Sequence, residues 1–299
     1  MLANVLAQCA LLVTAAGDIP QEAIANHIYD RDSANSALQV AWESPAVVPR
    51  NLVNIQSNES SANSELPKSS NNQLITAQVI DHVKNLAGQG NREALYVLGL
   101  FNFYGAGVPQ NIIEAISYYE RAGKLGHVEA LTNLGQIYDS GIGVPRDSQK
   151  AAKYFEQAAN LGCSIAAFNL GTVYEGSNDL LPNPDKSVIW WRKAANAGFP
   201  PAMFKLGWAY ITGVGVKKDT KMGISYLQKA ADSNLSVAQL KLAQMYEHGD
   251  GVAKNSEEAT RMYLKAAVNG SPEALSKIQS KNFVQSPPSI GSRLPQRSL

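Results

Sequence analysis

From residue 91 onward the chain repeats itself every 36 residues. Ala94, Ala130, Ala166, Ala202, Ala238 and Ala274 stand one step apart. Leu98, Leu134, Leu170, Leu206 and Leu242 keep the same step, with Ile278 next, and so do Gly99, Gly135, Gly171 and Gly207, with Ala243 next. Fixed-period self-similarity of this length marks one supersecondary unit copied in tandem, and it limits the fold more than any local motif does. Five copies are predicted, at about 91–126, 127–162, 163–198, 199–234 and 235–270.

Each copy reads as two helices. In the first, small and apolar residues recur at i, i+4 and i+5, as in Ala130, Leu134 and Gly135, which is a helical face and not a strand alternation. A glycine inside a helix costs about 1 kcal/mol against alanine. Its return at one phase predicts a second helix packed too close for a Cβ. The connection is Gly-x-Gly-Val at Gly105–Val108, Gly141–Val144, Gly213–Val216 and Gly249–Val252. Paired glycines supply the positive φ of a tight reversal. A phosphate loop would need Gly-Lys-Ser/Thr or a preceding strand, and neither is present.

The second helix opens on a capping residue in register: Asn111, Asp147, Asn183, Asp219 and Asn255. Its body carries Tyr118-Tyr119, Tyr154-Phe155, Trp190-Trp191, Tyr226-Leu227 or Met262-Tyr263, followed four residues on by a pair of small residues. Large residues facing small ones at fixed spacing interlock stacked helices, so these aromatics are expected in the core. Gly126, Gly162, Gly198 and Gly270 end the helix in phase, and Asn234 fills the remaining place. Asparagine best replaces glycine in a left-handed cap.

Two helices are expected to close the ends of the array: Leu74–Ala87, of second-helix type, and Pro272–Lys281, a more polar first helix. The array therefore spans 74–281. Asn51–Asn72 is rich in Asn and Ser and poor in large apolar residues, which makes 51–73 a disordered linker, and the Pro/Ser-rich stretch 282–299 a disordered tail. Residues 1–50 form an N-terminal region whose stretch Val5–Ala16 has two readings: a cleaved signal, or a short buried helix. No Lys or Arg precedes that stretch, and Gln8 is too large for a lipobox before Cys9. The cytoplasm is favoured, with secretory and mitochondrial destinations open.

The repeat A-x-x-x-L-G-x-x-Y-x-x-G-x-G-V-x-x-[DN]-x-x-K-A-x-x-Y-[FYW]-x-x-A-A-x-x-G resembles the Sel1-like repeat, a relative of the tetratricopeptide repeat. Repeat one departs from it with Asn102 in place of the tyrosine, and repeat three replaces the glycine loop with Ser177–Pro182. The resemblance implies an all-α, right-handed α-solenoid of five helix-turn-helix repeats with terminal capping helices. It implies a non-enzymatic scaffold or adaptor that binds a protein or peptide partner and helps assemble a complex. By likeness to tetratricopeptide arrays the first helices line a concave groove, whose partner-binding residues would be Tyr96, Leu100, Phe103, Gln136, Phe168, Thr172, Phe204, Trp208, Ile211 and Gln244, with Thr132, Asp139, Glu175, Leu240 and Glu247 at the same phases. The competing reading packs half of them between helices. A tetratricopeptide carboxylate clamp is not recognisable: Asn133 and Asn169 fit one of its positions, but the basic partners are missing.

Lys and Arg number 26 against 25 acidic residues, so the broad positive field of a nonspecific nucleic-acid binder is lacking and no nucleic-acid partner is expected. No run of 18 apolar residues is present, and no transmembrane segment is expected. Cys9 and Cys163 make neither a disulfide framework nor a metal knuckle, and His27, His82, His127 and His248 fall in different elements with no HExxH spacing. No catalytic residue, metal or cofactor is assigned. A secretory or endoplasmic-reticulum quality-control adaptor stays open as an alternative. So does a β-lactamase-like hydrolase, known among cysteine-rich Sel1-like proteins, although the paired cysteines of that type are missing here.

Overall fold

The computed structural model describes residues 70–282, Asn178 excepted. The signal-or-helix question at 5–16, most of the expected linker and the tail beyond Asn282 lie outside these residues. Among the described residues twelve helices follow one another: α1 Ser70–Gly88, α2 Arg92–Tyr104, α3 Ile112–Lys124, α4 Val128–Ser140, α5 Ser148–Asn160, α6 Ser164–Glu175, α7 Pro184–Asn196, α8 Pro200–Thr212, α9 Thr220–Asp232, α10 Ser236–His248, α11 Ser256–Val268 and α12 Pro272–Asn282. Among the described residues there is no strand, only an isolated bridge between Ser177 and Leu180. The class is an all-α solenoid built from five helix pairs, with α1 packed on α2 and α12 on α11 at the ends. Helix α1 starts at Ser70, so the last residues of the expected linker are helical. The chain divides between Phe199 and Pro200 into two compact units, the first holding repeats one to three and the second repeats four and five.

Within a pair the helices are antiparallel. Gly135 faces Phe155 while Tyr138 stacks on Tyr154, and Gly207 faces Leu227 while Tyr210 stacks on Tyr226, so facing residue numbers run in opposite directions. The mid-helix glycines hold this approach open. A Cβ on Gly135 would stand 2.5 Å from the Phe155 ring, one on Gly171 2.5 Å from Trp191, and one on Gly207 2.8 Å from the Gly223 carbonyl. On Gly99 it would overlap Tyr119.

The loop is closed by one recurrent bond. The backbone N–H of the second-helix cap donates to the carbonyl nine residues earlier: Asn111 to Asn102, Asp147 to Tyr138, Asn183 to Tyr174, Asp219 to Tyr210 and Asn255 to Tyr246, at 2.7–2.9 Å. Repeat three keeps it although its glycines are gone. The loop glycines of the other repeats have φ between +66° and +85°. Each cap side chain accepts from the amide three residues on, as Asp147 does from Lys150 at 2.9 Å. Gly90, Gly126, Gly162, Gly198 and Gly270 are left-handed, and so is Asn234 at φ 62°, the sole non-glycine with positive φ among the described residues.

The second-helix aromatics divide between core and surface, which corrects the expectation that both members of each pair are core. Tyr119, Phe155, Trp191, Leu227 and Tyr263 are buried. Tyr118, Tyr154, Trp190 and Tyr226 are half-buried, and of the first members only Met262 is buried. Adjacent helical positions point about 100° apart, so the two neighbours cannot both be enclosed; Tyr154 and Tyr226 stack on Tyr138 and Tyr210 while staying half-exposed.

Candidate protein-binding face

The first helices carry the residues assigned to the groove. They start from a second periodic row, the N-cap row Asn91, His127, Cys163 and Ser271, whose side chains accept from the amides of Ala94, Ala130, Ala166 and Ala274 at 2.9–3.4 Å. His127 and Cys163 also meet the residue 31 positions earlier, in the previous first helix. The His127 ring stacks on Tyr96 at 4.2 Å between centroids, Cys163 Sγ lies 3.6 Å from Thr132 Oγ1, and Phe199, at the same phase, meets Phe168 edge-on at 5.3 Å.

Tyr96, Leu100 and Phe168 are buried, and Tyr96 and Phe168 fill the crevice to the next first helix. Burial pushes the Tyr96 hydroxyl up to about 12 despite its hydrogen bond with Asn133. Burial also lowers His127, outweighing the nearby Glu129 and Glu93 carboxylates. Nδ1 of His127 lies 3.3 Å from both the Ala130 amide and Glu129 Oε2. A neutral Nδ1 accepts from the amide; a protonated one must turn to the carboxylate. The lowered proton affinity fits the neutral cap.

The rest of the first unit's face is mixed. Phe103 is half-buried, edge-on to Tyr104 at 5.0 Å. Gln136 is half-buried, and the half-buried Thr172 donates from Oγ1 to the Phe168 carbonyl at 3.2 Å. Burial raises the Asp139 carboxyl, and Arg146 at 3.3 Å offsets part of that.

The second unit differs. On α8, Phe204 and Ile211 are half-buried and pack on the core around Leu227 and Leu242, while Trp208 is 40% exposed. The ammonium of Lys241, from α10, lies 4.3 Å from the Trp208 ring centroid. Gln244 donates to Glu273 at 2.9 Å, and Glu247 accepts from the Tyr263 hydroxyl at 2.6 Å while pairing with Lys277 at 3.2 Å. The Trp208–Lys241 pair brings α8 and α10 together at the surface, and it did not emerge from the aromatic pattern. Its signal was present: Lys205, Lys241 and Lys277 are 36 residues apart, at the phase held by Val97, Asn133 and Asn169 in the first unit.

Among the described residues no group of His, Cys, Asp and Glu is placed to hold a metal ion, and no helix is long and apolar enough to cross a membrane.

The family described as Sel1 repeat matches residues 92–127, 128–163, 164–199, 200–235 and 236–271. The chain belongs to the Sel1 repeat family. The matched copies begin one residue after those read from the 36-residue step. Among solved structures the chain is similar to a protective antigen present in uropathogenic Escherichia coli strains that displays an SLR fold, with 30% identity and a TM-score of 0.64 over 70% of this chain and 45% of that one. It is also similar to a Sel1 repeat protein from Oxalobacter formigenes, with 27% identity and a TM-score of 0.61 over 71% of this chain and 88% of that one. The match thus spans less than half the length of the Escherichia coli antigen. No curated protein matches. Sel1 repeat proteins are in general scaffolds for protein interaction, and those of this fold are typically non-enzymatic.

Proposed function

We propose that this chain is a non-catalytic adaptor that binds a protein or peptide partner through the face of its first helices and helps assemble a complex. The observation that carries the reading is the contrast between shared and private residues. The periodic side chains pack within and between repeats. At the Trp208 phase the other repeats hold Leu100, Gln136, Thr172 and Gln244, a variety that a shared packing position does not need. An exposed tryptophan on such a face suits a hot spot, where aromatic anchors concentrate binding energy.

The test is capture of partners from the native source with the wild type and with Trp208→Ala. The variant is expected to lose partner affinity tenfold or more, about 1.4 kcal/mol, with a nearly unchanged melting temperature. Retained binding combined with a large loss of stability would place Trp208 in the fold and refute the reading.

A further inference from the structure

The first helices of the two units carry opposite charge. Helices α2, α4 and α6 hold one basic residue, Arg92, and four acidic ones, Glu93, Glu129, Asp139 and Glu175, a net of −3. Helices α8, α10 and α12 hold four lysines, Lys205, Lys241, Lys277 and Lys281, and two glutamates, Glu247 and Glu273, a net of +2. Residues 200–282 as a whole have 11 basic and 7 acidic residues, a net of +4.

The two glutamates on the basic side are already engaged: Glu247 with Lys277 and Tyr263, Glu273 with Gln244. Lys241 is different. Among the described residues no carboxylate pairs with it, and its ammonium rests on the exposed indole of Trp208. An indole face holds a cation in place without neutralising it, so the charge stays available to an incoming anion. The half-buried Lys241 stem and the partly exposed ring also limit the rotamer entropy lost when that anion arrives.

We infer that the first-helix face of the second unit, centred on Trp208 and Lys241, docks an acidic, extended peptide segment of a protein partner. One carboxylate of that segment pairs with Lys241, and an apolar side chain beside it lies on the indole. The inference rests on the proposed adaptor function and adds the chemistry of the partner. Charge complementarity at Lys241 carries it: this ammonium lies on the Trp208 ring, whereas Lys277 at the same phase is paired with Glu247, and the first unit has Val97, Asn133 and Asn169 there. A nucleic acid is the weaker occupant: a net of +2 on these three helices, with two carboxylates among them, is a poor match for a phosphate chain.

Selection by the full-length chain from a random 12-residue peptide library tests this directly. The winners are expected to be enriched in Asp and Glu beside an apolar residue. Their affinity should fall tenfold or more with Lys241→Gln and with Trp208→Ala, recover in part with Lys241→Arg, weaken with added salt, and stay unchanged with Lys265→Gln at an exposed position of α11. Winners without acidic enrichment, or winners that Lys241→Gln binds as tightly, overturn the inference and leave the adaptor reading standing. A library that yields no binder at all counts against the adaptor reading itself, and the inference falls with it. Tighter binding of a single-stranded oligonucleotide that Lys241→Gln abolishes would make the face a nucleic-acid site. Self-association of the full chain that Lys241→Gln abolishes would make the occupant a second copy. Competition by a peptide of residues 18–43 that exceeds every library winner would make it the chain's own acidic N-terminal region. Each of these three results also overturns the inference.

Discussion

Gly162 and Gly135 are held by different forces. Gly162 has φ +97° with nothing near a built Cβ, so only its backbone conformation excludes other residues; Gly135 has room for no Cβ at all, since the Phe155 ring fills that space. Gly162→Val should therefore cost about 1–2 kcal/mol, the penalty of placing a β-branched residue in the left-handed region. Gly162→Asn should cost less, because Asn234 adopts φ 62° at the same phase. Denaturant unfolding of the two variants checks the order, and equal stability of wild type and valine variant would refute the cap. His127 supplies a pH prediction. Its proton affinity is lowered in the folded chain by burial, so the unfolded chain takes up the proton first. The stabilisation from the neutral cap is present above the unfolded value of about 6.5 and is lost as pH falls through the lower folded value. His127→Asn keeps a cap acceptor, as Asn91 does, but cannot titrate. Its melting temperature should vary less than that of the wild type between pH 7 and pH 5, and parallel curves would remove His127 from the account.

At the scale of the element, repeat three shows how one repeat is latched to the one before. In repeats two and five the second loop glycine sits against the first residue of the preceding second helix: a Cβ on Gly143 would stand 2.7 Å from Ile112, and one on Gly251 2.8 Å from Thr220. The same phase in repeat three is Asp179, and the residue it faces is the small Ser148. The carboxylate accepts from the Ser148 backbone N–H at 2.7 Å and from the Ser148 hydroxyl, so a packing contact is replaced by a helix N-terminal hydrogen-bond pair. The hydrogen bonds from Ser148 lower the Asp179 carboxyl below its ordinary range. Its contribution is accordingly present above the unfolded carboxyl value, about 3.9, and lost as pH falls through the lower folded value. Asp179→Asn should lower the melting temperature at pH 7, and the difference should vanish as the solution is acidified through that window. Ser148→Ala should reduce but not abolish the effect of Asp179→Asn in a double-mutant cycle, because the backbone N–H of residue 148 still donates to the carboxylate, and fully additive effects would remove the hydroxyl from the latch. The altered loop of repeat three was evident in the sequence, and so was its departure from the glycine turn. That Ser148 and Asp179 compensate one another was not: they lie 31 residues apart and belong to different copies, so only the packing of one repeat on the next makes them neighbours.

On the scale of the whole molecule, the 36-residue step made the helices, caps and turns legible because each is a local event repeated in phase. The candidate face was less so. Tyr96 is buried with the His127 ring stacked on it, whereas Trp208, at a different phase of the same kind of helix, is exposed with the Lys241 ammonium over its ring, and both neighbours come from other copies. The same repeat logic governs how the chain should unfold. In a tandem array each copy contacts only its neighbours, so stability is a sum of local and nearest-neighbour contributions and not one shared core. The fully buried Leu242 belongs to the cluster formed by Leu227, Met262 and Tyr263 in the second unit, and Leu134, equally buried, occupies its phase in the first. Either leucine changed to alanine should cost about 2–5 kcal/mol locally, from lost transfer energy and the cavity left behind. Amide hydrogen exchange should localise the two effects differently. Leu242→Ala is expected to release protection mainly across 200–282 and Leu134→Ala mainly across 70–199, since opening spreads from neighbour to neighbour. A uniform loss over both units from either variant would mean that the chain unfolds as one cooperative body, and the nearest-neighbour description would have to be given up.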